Sequence, residues 1–126
     1  MATALLLIAH GSRQAEANDD LHHLAERLRS LGRFPIIEPA VLELAEPTIA
    51  QAGRRCIEQG ADRVILVPYF LSAGVHVGRD LQAHRDALAR DFPAVAFALA
   101  EPLGPHPLLE EIVSQRAAQA EDDQNA

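Results

Sequence analysis

The chain opens on an unbroken apolar run, Thr3 to Ala9, that stops at His10-Gly11-Ser12. An apolar run of strand length with no polar alternation predicts a strand buried on both faces, running into a loop. Leu21, Leu24, Leu28 and Leu31 then recur at helical spacing, and Gly32 supplies the stop. Pro35 to Leu42 reads as a second strand. Pro39 inside it cannot donate a ladder hydrogen bond, which sends this strand to an edge. Glu46-Pro47 opens a helix, with proline suited to the first helical position, and Ile49, Ala52, Cys56 and Ile57 form its inner face before Gly60. Arg63 to Pro68 is the third strand, rich in β-branched residues. A loop from Tyr69 to Gly78 precedes a helix from about Arg79 to Asp91, with Leu81, His84 and Leu88 on one face. Ala94 to Leu99 is a weaker fourth strand. A last helix starts near Pro107 and carries Leu109, Ile112, Val113 and Arg116 on one stripe.

Four strand–helix units in strict alternation predict a parallel sheet covered on both faces. The expected fold is an α/β, flavodoxin-like three-layer sandwich whose four-stranded parallel sheet has the order 2-1-3-4, with the Pro39 strand at an edge. It fills a single domain over 1–120, and the polar stretch 121–126 is expected to be a flexible tail. Ligands in such sheets bind beyond the carboxyl ends of the strands where the order reverses, here between the first and third strands. The loops leaving those strands carry His10 and His76, and the loop beside them carries Glu43 and Glu46.

Composition narrows the field. At 126 residues, 48% apolar and 23% charged, the chain has the profile of one soluble globular domain. No apolar run approaches the roughly 20 residues of a membrane span. The N-terminal apolar stretch has neither a basic flank nor a cleavage pattern, so a cytoplasmic location with no membrane partner is expected. A net charge of -7 argues against a nucleic-acid partner. Cys56 is the single cysteine, which excludes a disulfide framework and a cysteine zinc knuckle. All eleven basic residues are arginine, which reads as compositional bias.

His10 stands where a buried strand ends, followed by Gly11, Ser12 and Arg13; glycine admits a close ligand, and the following amides suit an anion. By itself such a histidine caps a strand. His76, in the glycine-flanked loop Ser72 to Gly78, changes the balance, since alone it would be a solvent-facing loop residue. Two imidazoles at one crevice with carboxylates beside them match a divalent transition metal, and they match an acid–base pair equally well. Glu43 and Glu46 flank the turn into the second helix, where a glutamate also favours a helix N-terminus. Arg13 and Arg79 lie on the same rim and suit substrate carboxylates, or else surface ion pairs. His22 and His23 read as solvated, His84 as partly buried, Cys56 as core, and His106 as a cap on the last helix.

Four segments taken together resemble the small class II chelatases, the short-form sirohydrochlorin cobaltochelatases and their iron- and nickel-inserting relatives of the CbiX/SirB type. They are Ala9-His10-Gly11-Ser12-Arg13, Leu42 to Ile49, Pro68 to His76 with the trailing Asp80-Leu81, and Leu103 to Leu108. The match runs in order from Thr3 to about Arg116. The resemblance implies insertion of a divalent metal (cobalt favoured, iron or nickel as options) into sirohydrochlorin or a related tetrapyrrole, with the metal as substrate and no organic cofactor. It assigns His10 as metal ligand and proton acceptor and His76 as second metal ligand. It assigns Glu46 to substrate contact and Leu71, Ser72, Ala73, Gly74 and Val75 to the macrocycle cradle. Between the two neighbouring glutamates the residues alone leave the choice open, with Glu46 ranked first for binding and Glu43 as a proton acceptor. Ser12, Arg13 and Arg79 complete the expected substrate-binding set. Short-form members resemble half of a longer two-domain chelatase and are expected to pair as homodimers. Two departures stand out: Gln82 replaces a proline frequent in relatives, and the histidine-rich insert of some members is missing.

The chemistry of the residues fits that implication. Metal insertion releases two pyrrole protons, and neutral imidazole both binds the incoming ion and accepts a proton near pH 7. A histidine phosphatase is a rival suggested by His10-Gly11, but Ala9 stands where the phosphate-binding arginine belongs. A non-catalytic metal or tetrapyrrole carrier needs the same ligands and differs only in turnover.

Overall fold

The computed structural model describes residues 2–125, and the side chains of 2–123. Eight elements alternate: β1 (Thr3–Ala9), α1 (Ala15–Leu31), β2 (Ile36–Val41), α2 (Ile49–Glu58), β3 (Arg63–Pro68), α3 (Val75–Asp91), β4 (Ala96–Leu99) and α4 (Pro107–Asn125). All strand pairs are parallel and the sheet order is β2-β1-β3-β4. The expected architecture is therefore the observed one. Pro39 sits opposite Leu7 on the edge strand, where its missing N–H leaves no inner strand unpaired.

β1, flanked on both sides, is buried from Leu6 to Ile8. Under α2 and α3, Leu6, Ile8, Val64 and Leu66 meet Ile49, Ala52, Cys56, Leu81 and Leu88. Under α1, Leu7, Ile37 and Val41 meet Leu21 and Ala25. Gly32 ends α1 in the left-handed region, and its N–H donates to Arg29 O.

Four boundaries differ from the sequence reading, each for a local reason. Pro47 does not begin α2. Thr48 caps it, accepting from Gln51 N while Gln51 Oε1 accepts from Thr48 N, a reciprocal pair that fixes the start at Ile49. α3 begins at Val75 rather than Arg79, with Gly74 as its cap, so Gly78 lies inside the helix and donates its N–H to Gly74 O. β4 is shorter than the Ala94–Leu99 reading, pairing from Ala96. The stretch read as a tail, 121–126, is helical as far as Asn125. Ala117, Ala118, Gln119, Ala120 and Glu121 are good helix formers and continue the turn in solvent. Among the described residues, no helix is long and apolar enough to cross a membrane.

Cys56 lies at 0% exposure on the inner face of α2. Burial, with the charge of Glu38 adding to it, pushes the thiol up to about 12. Iodoacetamide at pH 8 should therefore leave the native protein unmodified and label it fully on unfolding; native labelling would contradict this burial. The unfolded thiol ionises near 9 while the folded one holds its proton to about 12. Its contribution to stability is thus intact below pH 9 and is lost as pH climbs from there.

Candidate functional site

The carboxyl ends of β1, β2 and β3 bring three loops together. Leu42 N donates to Ala9 O at 2.9 Å and Glu43 N to His10 O at 3.1 Å, tying the loop after β2 to the loop after β1. Gly11, at φ +99°, packs directly against the Glu43 carbonyl. Tyr69 N donates to Ile8 O, and the ring of Phe70 stacks on His10 with centroids 4.0 Å apart and planes 14° from parallel. His10 itself is exposed. It is thus presented at the end of the central strand, backed by a buried aromatic ring.

Glu43 and His76 share one open cavity of about 530 Å3, whose wall also includes Leu42, Val77, Arg79 and Asp80. His76 and Asp80 lie one helical turn apart on α3, which places both on the cavity side. Asp80 Oδ1 stands 3.8 Å from His84 Nε2 farther along the same helix. Among the described residues, no three histidine, cysteine, aspartate or glutamate side chains are gathered at metal-holding distance. Glu43, His76 and Asp80 lie along one cavity wall, with His10 on the loop adjoining Glu43.

Other expected site residues are placed differently. Glu46 is absent from this wall and its Oε2 accepts from Gln51 Nε2 at 3.2 Å, at the start of α2. The amide of Ser12 is not free for an anion: it donates to Asn18 Oδ1, while Asn18 Nδ2 donates to Ser12 O. Ser12 Oγ accepts from Gln14 N, so this serine braces the turn into α1. Arg13 is exposed on the rim. Leu71, Ser72, Gly74 and Val75 are exposed and Ala73 half-buried, forming the loop that enters α3. His106 caps α4 as expected, its Nδ1 accepting from Leu108 N.

Three features escaped the sequence reading. Phe70 as a platform for His10 had no signal beyond its position two residues past Pro68. Asp80, noted in the sequence only as part of a matching segment, joins His76 on one helix face once α3 starts at Val75. Leu44 adopts φ +71°, a costly conformation for a branched side chain, and is more than half exposed beside Glu43. Leu71 and Val75, on the segment that enters α3, are each more than two-thirds exposed.

A family model described as CbiX matches residues 4–120. The chain is 37% identical over 115 residues to the chloroplastic sirohydrochlorin ferrochelatase of Arabidopsis thaliana, covering 91% of this chain and 51% of that protein. It is 33% identical over 137 residues to the sirohydrochlorin cobaltochelatase of Methanopyrus kandleri, covering 93% of this chain and 96% of that one. The fold superposes with a TM-score of 0.87 on the sirohydrochlorin chelatase SirB from Bacillus subtilis subspecies spizizenii in complex with cobalt, at 28% identity, over 94% of this chain and 51% of that chain. The chain spans about half the length of the first curated relatives it matches.

Proposed function

Since the chain belongs to the CbiX family, we propose that it is a metal chelatase that inserts a divalent ion, cobalt or iron, into sirohydrochlorin. The observation that carries this reading is the shared cavity of Glu43 and His76, with His10 on the adjoining loop. Imidazole and carboxylate donors accept cobalt, iron and nickel and hold them less firmly than thiolates would, which suits an ion that is handed on. The metal is a substrate here, and two copies of the chain act together as a homodimer.

The reaction places two demands on the protein. The ion must reach the ring nitrogens stripped of most of its water, and two pyrrole protons must leave as it arrives. His76 and Glu43 take the ion at the cavity wall. His10 accepts one pyrrole proton and Glu43, freed as the ion passes to the ring, accepts the other; the flat packing of Phe70 fixes the plane of the His10 imidazole. Leu44, Leu71 and Val75 meet the macrocycle face, while the short side chains of Ser72, Ala73 and Gly74 let the ring come close to the start of α3. Sirohydrochlorin is rich in carboxylates, and the chain carries a net charge of -7. Arg79 on the cavity wall, Arg13 on the rim and the positive end of the α3 dipole make the local field favourable despite that balance.

Anaerobic incubation of substoichiometric protein with sirohydrochlorin and Co2+, Fe2+ or Ni2+ in turn, followed by the absorption of the macrocycle, tests this reading. Many turnovers per site, faster than the protein-free reaction, are expected with at least one metal. A spectral change that saturates at one equivalent would make the protein a carrier and overturn the assignment.

A further inference from the structure

The segment that joins β4 to α4 has no part in the site described above, yet it is built against it. Leu103 N donates to Phe70 O at 2.9 Å, so the segment is bonded to the residue whose ring backs His10. One residue on, a Cβ at Gly104 would stand 2.4 Å from Leu71 O and 3.1 Å from Leu109 Cδ1, which leaves room for glycine alone. Pro105 and Pro107 then flank His106 and hold its backbone in a narrow range. Leu109 N and Glu110 N both donate to His106 O, at 3.0 and 3.3 Å, and fix the residue where α4 begins.

His106 is exposed there and lines an open hollow of about 230 Å3 with Leu103, Leu108 and Leu109. Its hydrogen bonding decides what the ring can do. Nδ1 accepts from Leu108 N at 3.1 Å, so the neutral ring carries its proton on Nε2. Ligation of an ion at Nε2, or uptake of a second proton, would put hydrogen on Nδ1 and break the bond from Leu108. Nε2 is therefore a donor. The rest of the wall is leucine, and none of the chain's 18 acidic residues lines it. Three leucines and one N–H donor fit a group with an apolar stem and an anionic head. A second hollow of about 320 Å3, between α3 and the end of β4, also touches Ala73, but Glu101 on its wall repels such a head.

We infer that the hollow at His106 is a subsite for one carboxylate arm of the macrocycle. The stem lies on Leu103, Leu108 and Leu109, and His106 Nε2–H donates to the carboxylate. The subsite rests on the chelatase reading and adds a specificity-determining residue to it. His10 and His76 handle protons and metal, whereas His106 reads the substrate from the edge of the Leu71 to Val75 loop, to which Gly104 holds it.

Binding of metal-free sirohydrochlorin, followed by the fluorescence of the macrocycle, provides the test. His106→Asn is the informative variant, because asparagine keeps an oxygen to accept from Leu108 N and removes the donor at Nε2. Its circular dichroism spectrum and unfolding midpoint should match those of the native protein. Its Kd for sirohydrochlorin should rise about tenfold, the scale of one hydrogen bond to a charged group. In turnover, the KM for sirohydrochlorin should rise by a similar factor while the KM for metal stays in place, the reverse of what loss of a metal ligand does. Leu108, at 62% exposure, gives a second pair that keeps the fold. Leu108→Asp puts a carboxylate on the wall and should bind about tenfold more weakly than the equally sized Leu108→Asn.

A His106→Asn variant that binds like the native protein, or equal Kd values for the two Leu108 variants, overturns the subsite and leaves the chelatase reading in place. A rise in the KM for metal alone makes His106 an ion ligand and overturns it too. Native protein that binds no sirohydrochlorin removes both readings, so the two failures are distinguishable.

Discussion

His10→Ala and His76→Ala should each lower metal insertion about a thousandfold, the scale of losing a positioned proton acceptor or an essential ligand. Neither change should unfold the protein. Both side chains are exposed, and His10 gives up only its stacking on Phe70, worth about 1 kcal/mol. The two variants should fail differently. Without His76 the cavity wall keeps its carboxylates but no imidazole, so the KM for metal rises along with the loss of rate. Without His10 the metal still docks while the proton has no acceptor, so kcat falls and added imidazole restores part of it. Glu43→Gln should behave as a milder His76→Ala. Glu46→Gln should leave turnover within a few-fold of the native protein, because Glu46 is engaged with Gln51 at the start of α2 and is absent from the cavity wall. Steady-state kinetics with metal varied at saturating sirohydrochlorin separates these cases. Native turnover by His10→Ala would remove that residue from the mechanism, and a Glu46→Gln defect deeper than that of Glu43→Gln would restore the order the family resemblance implies.

The parts of this molecule that could be read from sequence are those where one physical demand dominates. A strand buried on both faces must be apolar throughout, so Thr3–Ala9 announced itself, while β-branched residues marked Arg63–Pro68, which is fully buried on one face only. A proline that cannot join a ladder fixed β2 at an edge, and alternation of strands and helices then left little freedom in the topology. Where two readings compete, pattern alone chose wrongly. Gly74 and Gly78 looked like loop punctuation. One caps α3 and the other sits in its first turn, and misplacing that start concealed that His76 and Asp80 share one helix face. The α4 stripe was legible as apolar, but periodicity says nothing about what covers it. Ser12 illustrates a different limit. Its amide is taken by Asn18, a partner six residues away that no local pattern specifies. That His10 and Glu43 lie on adjoining loops was legible because it depends on where strands end, which topology sets.

Gly11→Ala should cost about 3 kcal/mol or more of stability and at least tenfold in turnover, the larger part arising from one contact. Two penalties act at this position. The backbone has φ +99°, a region L residues rarely adopt, and a Cβ would lie 1.8 Å from Glu43 O, 3.0 Å from its carbonyl carbon and 3.3 Å from Val41 Cβ. The obstructing atoms are mostly backbone, so the loop after β2 has to move away. That loop is bonded to His10 O through Glu43 N, and moving it separates Glu43 from the imidazole beside which it must act. Displacement by about 1 Å is enough to lower the rate of a positioned reaction substantially. Gly60→Ala isolates the first penalty. Gly60 has φ +101° but nothing within 4 Å of the added carbon, so it should lose only the conformational term of about 1–2 kcal/mol and keep full turnover. Urea unfolding of both variants, with turnover measured where each remains folded, separates strain from clash. Equal losses would mean that the Glu43 loop yields freely, and that the His10 and Glu43 loops are not braced against one another as the Gly11 contact implies.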